Sequence, residues 1–154
     1  MDRGICVPGL VSEDAWKLPT PRHIVGVGTY YAEGIMERVA VNRGFDLGGY
    51  KDGIAMMSPT DLGATAWLRR PGHGWEGPFL VVDCSARKHI FVNAGVSGIV
   101  AEVGWKTAAD WGMQGGIMGL EVYLGGRPPS ASRATWYGAY WLNRVTFVMP
   151  EGNQ

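Results

Sequence analysis

The chain is poor in cysteine, has no surplus of charge and contains no long apolar run, and each shortage removes a class of protein. It holds 2 cysteines and 3 histidines in 154 residues, with no CxxC pair and with His23, His73 and His89 scattered. Zinc sites draw on closely spaced Cys and His pairs, so neither a metal nor another cofactor is expected. The 14 Lys and Arg balance 14 Asp and Glu. Phosphate-reading proteins show a basic face or stripe; the only tight basic pairs here are Arg69-Arg70 and Arg87-Lys88, which argues against nucleic acid as a partner. No stretch approaches the roughly 20 apolar residues of a membrane span. The opening MDRGICVPGLVSEDAW also lacks the apolar middle of a signal peptide. Either export by that route does not occur or a leader has been removed.

Glycine and tryptophan are plentiful instead. The 24 glycines and 9 prolines break the chain often, which suits short strands joined by turns better than long helices. The 7 tryptophans exceed the ordinary need of one small core. They either fill a barrel and its lid or lie exposed against a planar partner such as a sugar ring. Cys6 and Cys84 can form one bridge closing a long loop, contributing about 2–4 kcal/mol in an oxidising compartment; two thiols that never meet fit the sequence equally well.

Residues 1–22 carry Pro8, Pro19 and Pro21 without periodicity and read as an N-terminal arm. HIVGVGTYYAEG is a strand containing Ile24, Val25 and Val27, and IMERVAVNRG a short helix with Ile35, Val39 and Met36 inward. GIAMMS is a strand, SPTDLG a turn. ATAWLRR is a strand with Thr65, Trp67 and Arg69 on one face and Ala66 and Leu68 on the other. PGHGWEGP is a connection with His73 and Trp75 at its tip. GPFLVVDCSARKH is an apolar strand, Phe79 to Val82, ending in Asp83 and Cys84. GIVAEV leads into the helix WKTAADWGM, whose inward stripe is Trp105, Ala108, Ala109 and Gly112. In GLEVYLG, Leu120, Val122 and Leu124 oppose Glu121 and Tyr123. GRPPSAS is a linker, and ATWYGAYWLNRVTFVM forms a hairpin or two strands. The expected division is an arm over 1–22, a mainly β barrel domain over 23–125 and a C-terminal β extension over 126–154.

The order of these pieces resembles the double-psi β-barrel domain of the rare lipoprotein A-like family, whose relatives include expansins. GVGTYYAEG is similar to the family's opening strand, GIAMMSPTDLGATAWLR to its strand, turn and strand, FLVVDCSA to the strand ending in aspartate, and GIVAEVGWKTAADWGM to the strand before an alanine-rich helix. GLEVYLG would close the barrel, so the resemblance spans roughly Val25 to Leu124. It implies a small six-stranded double-psi β-barrel with one or two short helices, in an extracellular or cell-envelope protein that meets peptidoglycan or another polysaccharide. It places Asp83 on the acid of the peptidoglycan-cleaving members, and Glu102 where expansin-like relatives keep an aspartate. The family histidine falls on Met57, or within a residue of it at Met56 or Ser58, none of which can shuttle a proton.

Glycan cleavage needs a group to protonate the leaving oxygen and usually a second to take a proton or stabilise charge. Asp83 and Glu102 are the candidates. Against that, Asp83 can be a turn-former and Glu102 a carboxylate favouring the start of the next helix. For sugar binding, flat rings with polar neighbours are needed, which singles out Tyr30, Tyr31, Trp75 and Arg87, with Trp67 and Trp111 assigned to core or lid. With the histidine missing, a glycan-binding barrel without catalysis is the first expectation, a lytic transglycosylase or glycoside hydrolase the second. A structural component that contacts a protein partner through its aromatic C-terminal segment is the third.

Overall fold

Strand β1 (Arg22–Tyr30) is the hub of a closed six-strand barrel, and the computed structural model describes residues 21–56, 58–84, 99–130, 133–136 and 148–150. The other barrel strands are β2 (Gly53–Met56), β3 (Thr65–Arg69), β4 (Trp75–Cys84), β5 (Ile99–Val103) and β6 (Ile117–Leu124). Around the ring the order is β1-β6-β3-β4-β2-β5, closed by pairing of β5 with β1. The β1/β5 and β2/β4 pairs are parallel and the other barrel pairs antiparallel. Closure leaves the ring no open edge. The N-terminal half of β1 also pairs in parallel with β7 (Arg133–Trp136), which β8 (Val148–Pro150) joins antiparallel, so the described part of the C-terminal extension widens the same sheet.

Alternation decides what fills the ring. On β3, Ala66 and Leu68 are buried while Thr65, Trp67 and Arg69 are half-buried on the outer face. On β6, Leu120, Val122 and Leu124 enter the core. Both faces match the alternation of their sequences. Ile24, Ile54, Met56, Phe79, Val81, Val100 and Val103 complete the interior.

A second apolar cluster lies outside the wall. Helix α1 (Ile35–Asn42) lays Met36 and Ala40 on Leu80 and Val82 of β4, with Tyr31, Val39 and Phe45 at the margin. Of the three residues expected inward, Met36 is buried while Ile35 and Val39 are half-buried, and Ala40 joins Met36 in the contact stripe. Gly53 permits the close approach, since a Cβ there would stand 2.9 Å from Val82 Cγ2 and 3.2 Å from Met36 Cγ.

Helix α2 (Trp105–Trp111) also departs from the expected face. Its buried residues are Thr107 and Ala108, while Trp105 is 39% exposed and Ala109 and Gly112 are exposed. Thr107 is drawn inward because its hydroxyl donates to Oδ2 of buried Asp52 at 2.8 Å. A hydrogen bond to a buried carboxylate outweighs the gain from facing Ala109 inward. Trp75 is corrected as well: it opens β4 rather than capping a loop.

Candidate functional site

Asp83 owes its position to a bulge. Consecutive β2 residues Ile54 and Ala55 pair with Val81 and Asp83, leaving Val82 as the extra residue of β4. Regular alternation would send Asp83 to the face of Val81, inside the barrel. With one residue inserted, Asp83 stands beside Ala55 instead, on the opposite face from Ile54; re-aiming a side chain is a recurrent use of bulges. Ala55 also pairs with Glu102 on β5, and Glu102 with Thr29 on β1. Thr29, Glu102, Ala55 and Asp83 therefore form one row across neighbouring strands on the outer face. The adjacent row, Tyr30, Val103, Ile54 and Val81, faces the core.

The row holds both carboxylates as acceptors. Tyr31 donates its hydroxyl to Asp83 Oδ2 at 2.7 Å, and Arg43, at the C-terminal end of α1, donates to Asp83 Oδ1 at 3.0 Å. Asp83 remains 15% exposed at its side chain. Thr29 donates to Glu102 Oε2 at 2.9 Å. Ala55, between the two acids, adds only a methyl, and two strand spacings set their Cα atoms roughly 10 Å apart. Burial, then the charge and hydrogen bond of Asp83, then the charge of Glu102 push the Tyr31 hydroxyl far above its ordinary pKa, against a smaller opposing pull from Arg43. Tyr31 thus keeps its proton and acts as a fixed donor.

Asp83 lies within β4, and among the described residues its side chain bonds to Tyr31 and Arg43. Glu102 bonds across the sheet to Thr29, and the residue capping α2 is Gly104, without a side-chain cap. Of the three residues where a histidine was sought, Met56 is in the core and Ser58 is buried, its Oγ accepting from Thr60 N at 3.2 Å, while Met57 lies outside the described residues. The described histidines bond elsewhere, His23 to Glu121 and His73 to the Pro71 carbonyl.

Of the candidate sugar-binding residues that are described, the site gathers Tyr31 and neither Tyr30 nor Trp75. Tyr30 packs on the core and meets Trp105 edge-on at 5.8 Å between centroids. Trp75 begins a 10-residue strand that Asp83 nearly ends, which separates them by roughly 25 Å. Arg87 and Cys6 lie outside the described residues, whereas Cys84 is buried and disulfide-bonded. The chain's one other cysteine is Cys6. Among the described residues no group of three or more His, Cys, Asp and Glu could hold a metal ion, and no helix is long and apolar enough to cross a membrane. Sequence reasoning missed Arg43 and Thr29. Neither lies near Asp83 or Glu102 in the chain, and only the helix docking and the β1/β5 register bring them there.

A second polar cluster lies on the outer face of β1, β3, β4 and β6. Buried Glu121 accepts two hydrogen bonds from Arg69, each at 2.8 Å, and lies 2.7 Å from His23 Nε2. Trp75 covers the cluster, edge-on to His23 at 5.3 Å and with the Arg69 guanidinium over its ring at 4.5 Å. Burial raises the Glu121 pKa, but the bonds from His23 and Arg69 outweigh it, so the carboxyl sits below its ordinary range. Trp111, partly buried against the core, donates to Glu76 at 3.1 Å, with the Arg70 guanidinium carbon over its ring at 4.7 Å.

The chain matches no protein-family model, no curated protein and no solved structure.

Proposed function

We propose that this protein is a glycan-binding barrel of the double-psi type, acting outside the cell or in the cell envelope, and that it binds through the outer row around Asp83 without cleaving its ligand. One observation carries the reading: both oxygens of Asp83 already accept, from Tyr31 and Arg43. A general acid must aim a proton at the leaving oxygen, and a carboxylate with a donor on each oxygen is arranged to accept. An ionised carboxylate has about four lone-pair sites, so Asp83 retains acceptor capacity for sugar hydroxyls, and Glu102 supplies more along the row. The disulfide at Cys84 supports an oxidising compartment. The polysaccharide, with peptidoglycan foremost, comes from the resemblance in motif order.

Cleavage by Asp83 with Glu102 is the second reading, favoured by their alignment on either side of Ala55. Purified protein incubated with sacculi and insoluble polysaccharides separates the two. Retention without released muropeptides, weakened about tenfold or more in Asp83→Ala, supports binding. Muropeptide release by the wild type and not by Asp83→Asn establishes the lytic reading. No retention on any of the polymers refutes the glycan reading altogether.

A further inference from the structure

A separate cleft of about 330 Å³ opens on the other polar cluster, lined by Trp67, Arg69, Trp75, Arg127, Pro128 and Pro129 among others. That volume is at the lower end of ligand-sized pockets and suits one ring rather than a chain. Its two arginines are differently committed. Arg69 is held on Glu121 by two hydrogen bonds, which offsets its charge. Arg127 is exposed and lies over the Trp67 ring at 4.9 Å, and among the described residues no carboxylate pairs with it. Among the described residues the cleft therefore presents one uncompensated guanidinium, Arg127, whose carbon lies over an indole and whose five N–H groups can donate to an acceptor.

The backbone on either side of Arg127 is constrained. The next two residues are Pro128 and Pro129, whose rings fix φ, and Gly125 lies so close to Pro21 that a Cβ there would approach it to 2.7 Å. These constraints act on the backbone that carries Arg127. The indoles are already occupied: Trp67 is packed between Gly77 and Arg127, and Arg69 covers Trp75. A flat aromatic ligand would find no free ring to stack on. Indole edges and proline rings instead offer apolar walls to the C–H groups of a puckered ring. One uncompensated guanidinium matches one carboxylate through paired N–H···O bonds, whereas a phosphate dianion would call on an Arg69 already engaged by Glu121.

From these features we infer that the cleft is a second binding site, for a carboxylate-bearing sugar residue gripped by Arg127. It rests on the glycan reading only for the saccharide as carrier of the carboxylate. The test titrates an oligogalacturonate, a neutral cello-oligosaccharide of equal length and inorganic sulfate, read by tryptophan fluorescence with Trp67 and Trp75 as local reporters. The expected result is salt-sensitive binding of the oligogalacturonate, weakened about tenfold or more in Arg127→Ala, partly kept in Arg127→Lys and unchanged in Asp83→Asn. Equal binding of the neutral oligomer, affinity intact in Arg127→Ala, or sulfate binding as tightly as the oligomer would overturn the assignment. Arg127 is exposed, so loss of folding is not expected in its variants, and far-UV circular dichroism checks it. Oligogalacturonate binding by a protein not retained on sacculi would sink the Asp83 reading alone; retention on sacculi with no oligogalacturonate binding would sink this one alone.

Discussion

Replacing Glu121 by Gln tests whether the buried charge cluster holds the barrel wall together. Glu121 is 6% exposed and accepts both Arg69 bonds and the His23 contact within 2.8 Å. Glutamine keeps the shape but turns one acceptor oxygen into an NH2 group that faces donors. Hydrogen bonds to a charged group contribute about 1.5–3 kcal/mol each, and removing one member of a buried ion pair costs about 3–5 kcal/mol because the other is left without its partner. Arg69 is 21% exposed at its side chain and can recover some hydration, so the expected loss is about 3 kcal/mol, the lower end of that range. Urea unfolding at pH 7 should show a lower midpoint with an unchanged slope. The pH dependence carries a sign. The folded carboxyl titrates below its ordinary 4.5, so its contribution is fully present above about pH 4.5 and is lost as pH falls through the folded value. The gap between wild type and E121Q should therefore close in acid. A loss below about 1 kcal/mol, the worth of a surface pair, or a gap that widens as pH falls, would refute the reasoning.

Two further outcomes follow from packing and satisfaction. Gly77→Ala would bring a Cβ to 2.8 Å from Trp67 Cδ2 and 3.2 Å from the Ala66 carbonyl, so overpacking of about 1–3 kcal/mol is expected, together with a shifted tryptophan emission; an unchanged urea midpoint would refute it. Thr107→Val keeps the shape of the side chain but leaves Asp52 Oδ2 without its 2.8 Å donor in a residue 2% exposed, for a loss of about 1–3 kcal/mol; thermal unfolding indistinguishable from wild type would show that the bond does not hold α2 in place.

How much of this was legible in the sequence depends on whether a strand has one wet face. On β3 it does, and Ala66 and Leu68 share one face as their alternation implies; on β6 Glu121 and Tyr123 are buried as well, yet the alternation of Leu120, Val122 and Leu124 still separates the two faces. Helix α2 was misread by its apolar spacing because Thr107, a polar residue, is the one drawn inward, to an Asp52 far away in the chain. Asp83 presents the harder case. Phe79 and Val81 face the barrel interior while Leu80 and Val82 lie under α1, so β4 is covered on both sides and its sequence is a continuous apolar run. Such a run carries no parity, and an extra residue within it leaves no trace. Yet the bulge at Val82 is what moves Asp83 from the core face to the row shared with Glu102. The motif order could nominate Asp83 as an acid; only the register decides that it meets Tyr31 and Arg43 on the outer wall, and so whether it is placed to donate a proton or to accept one.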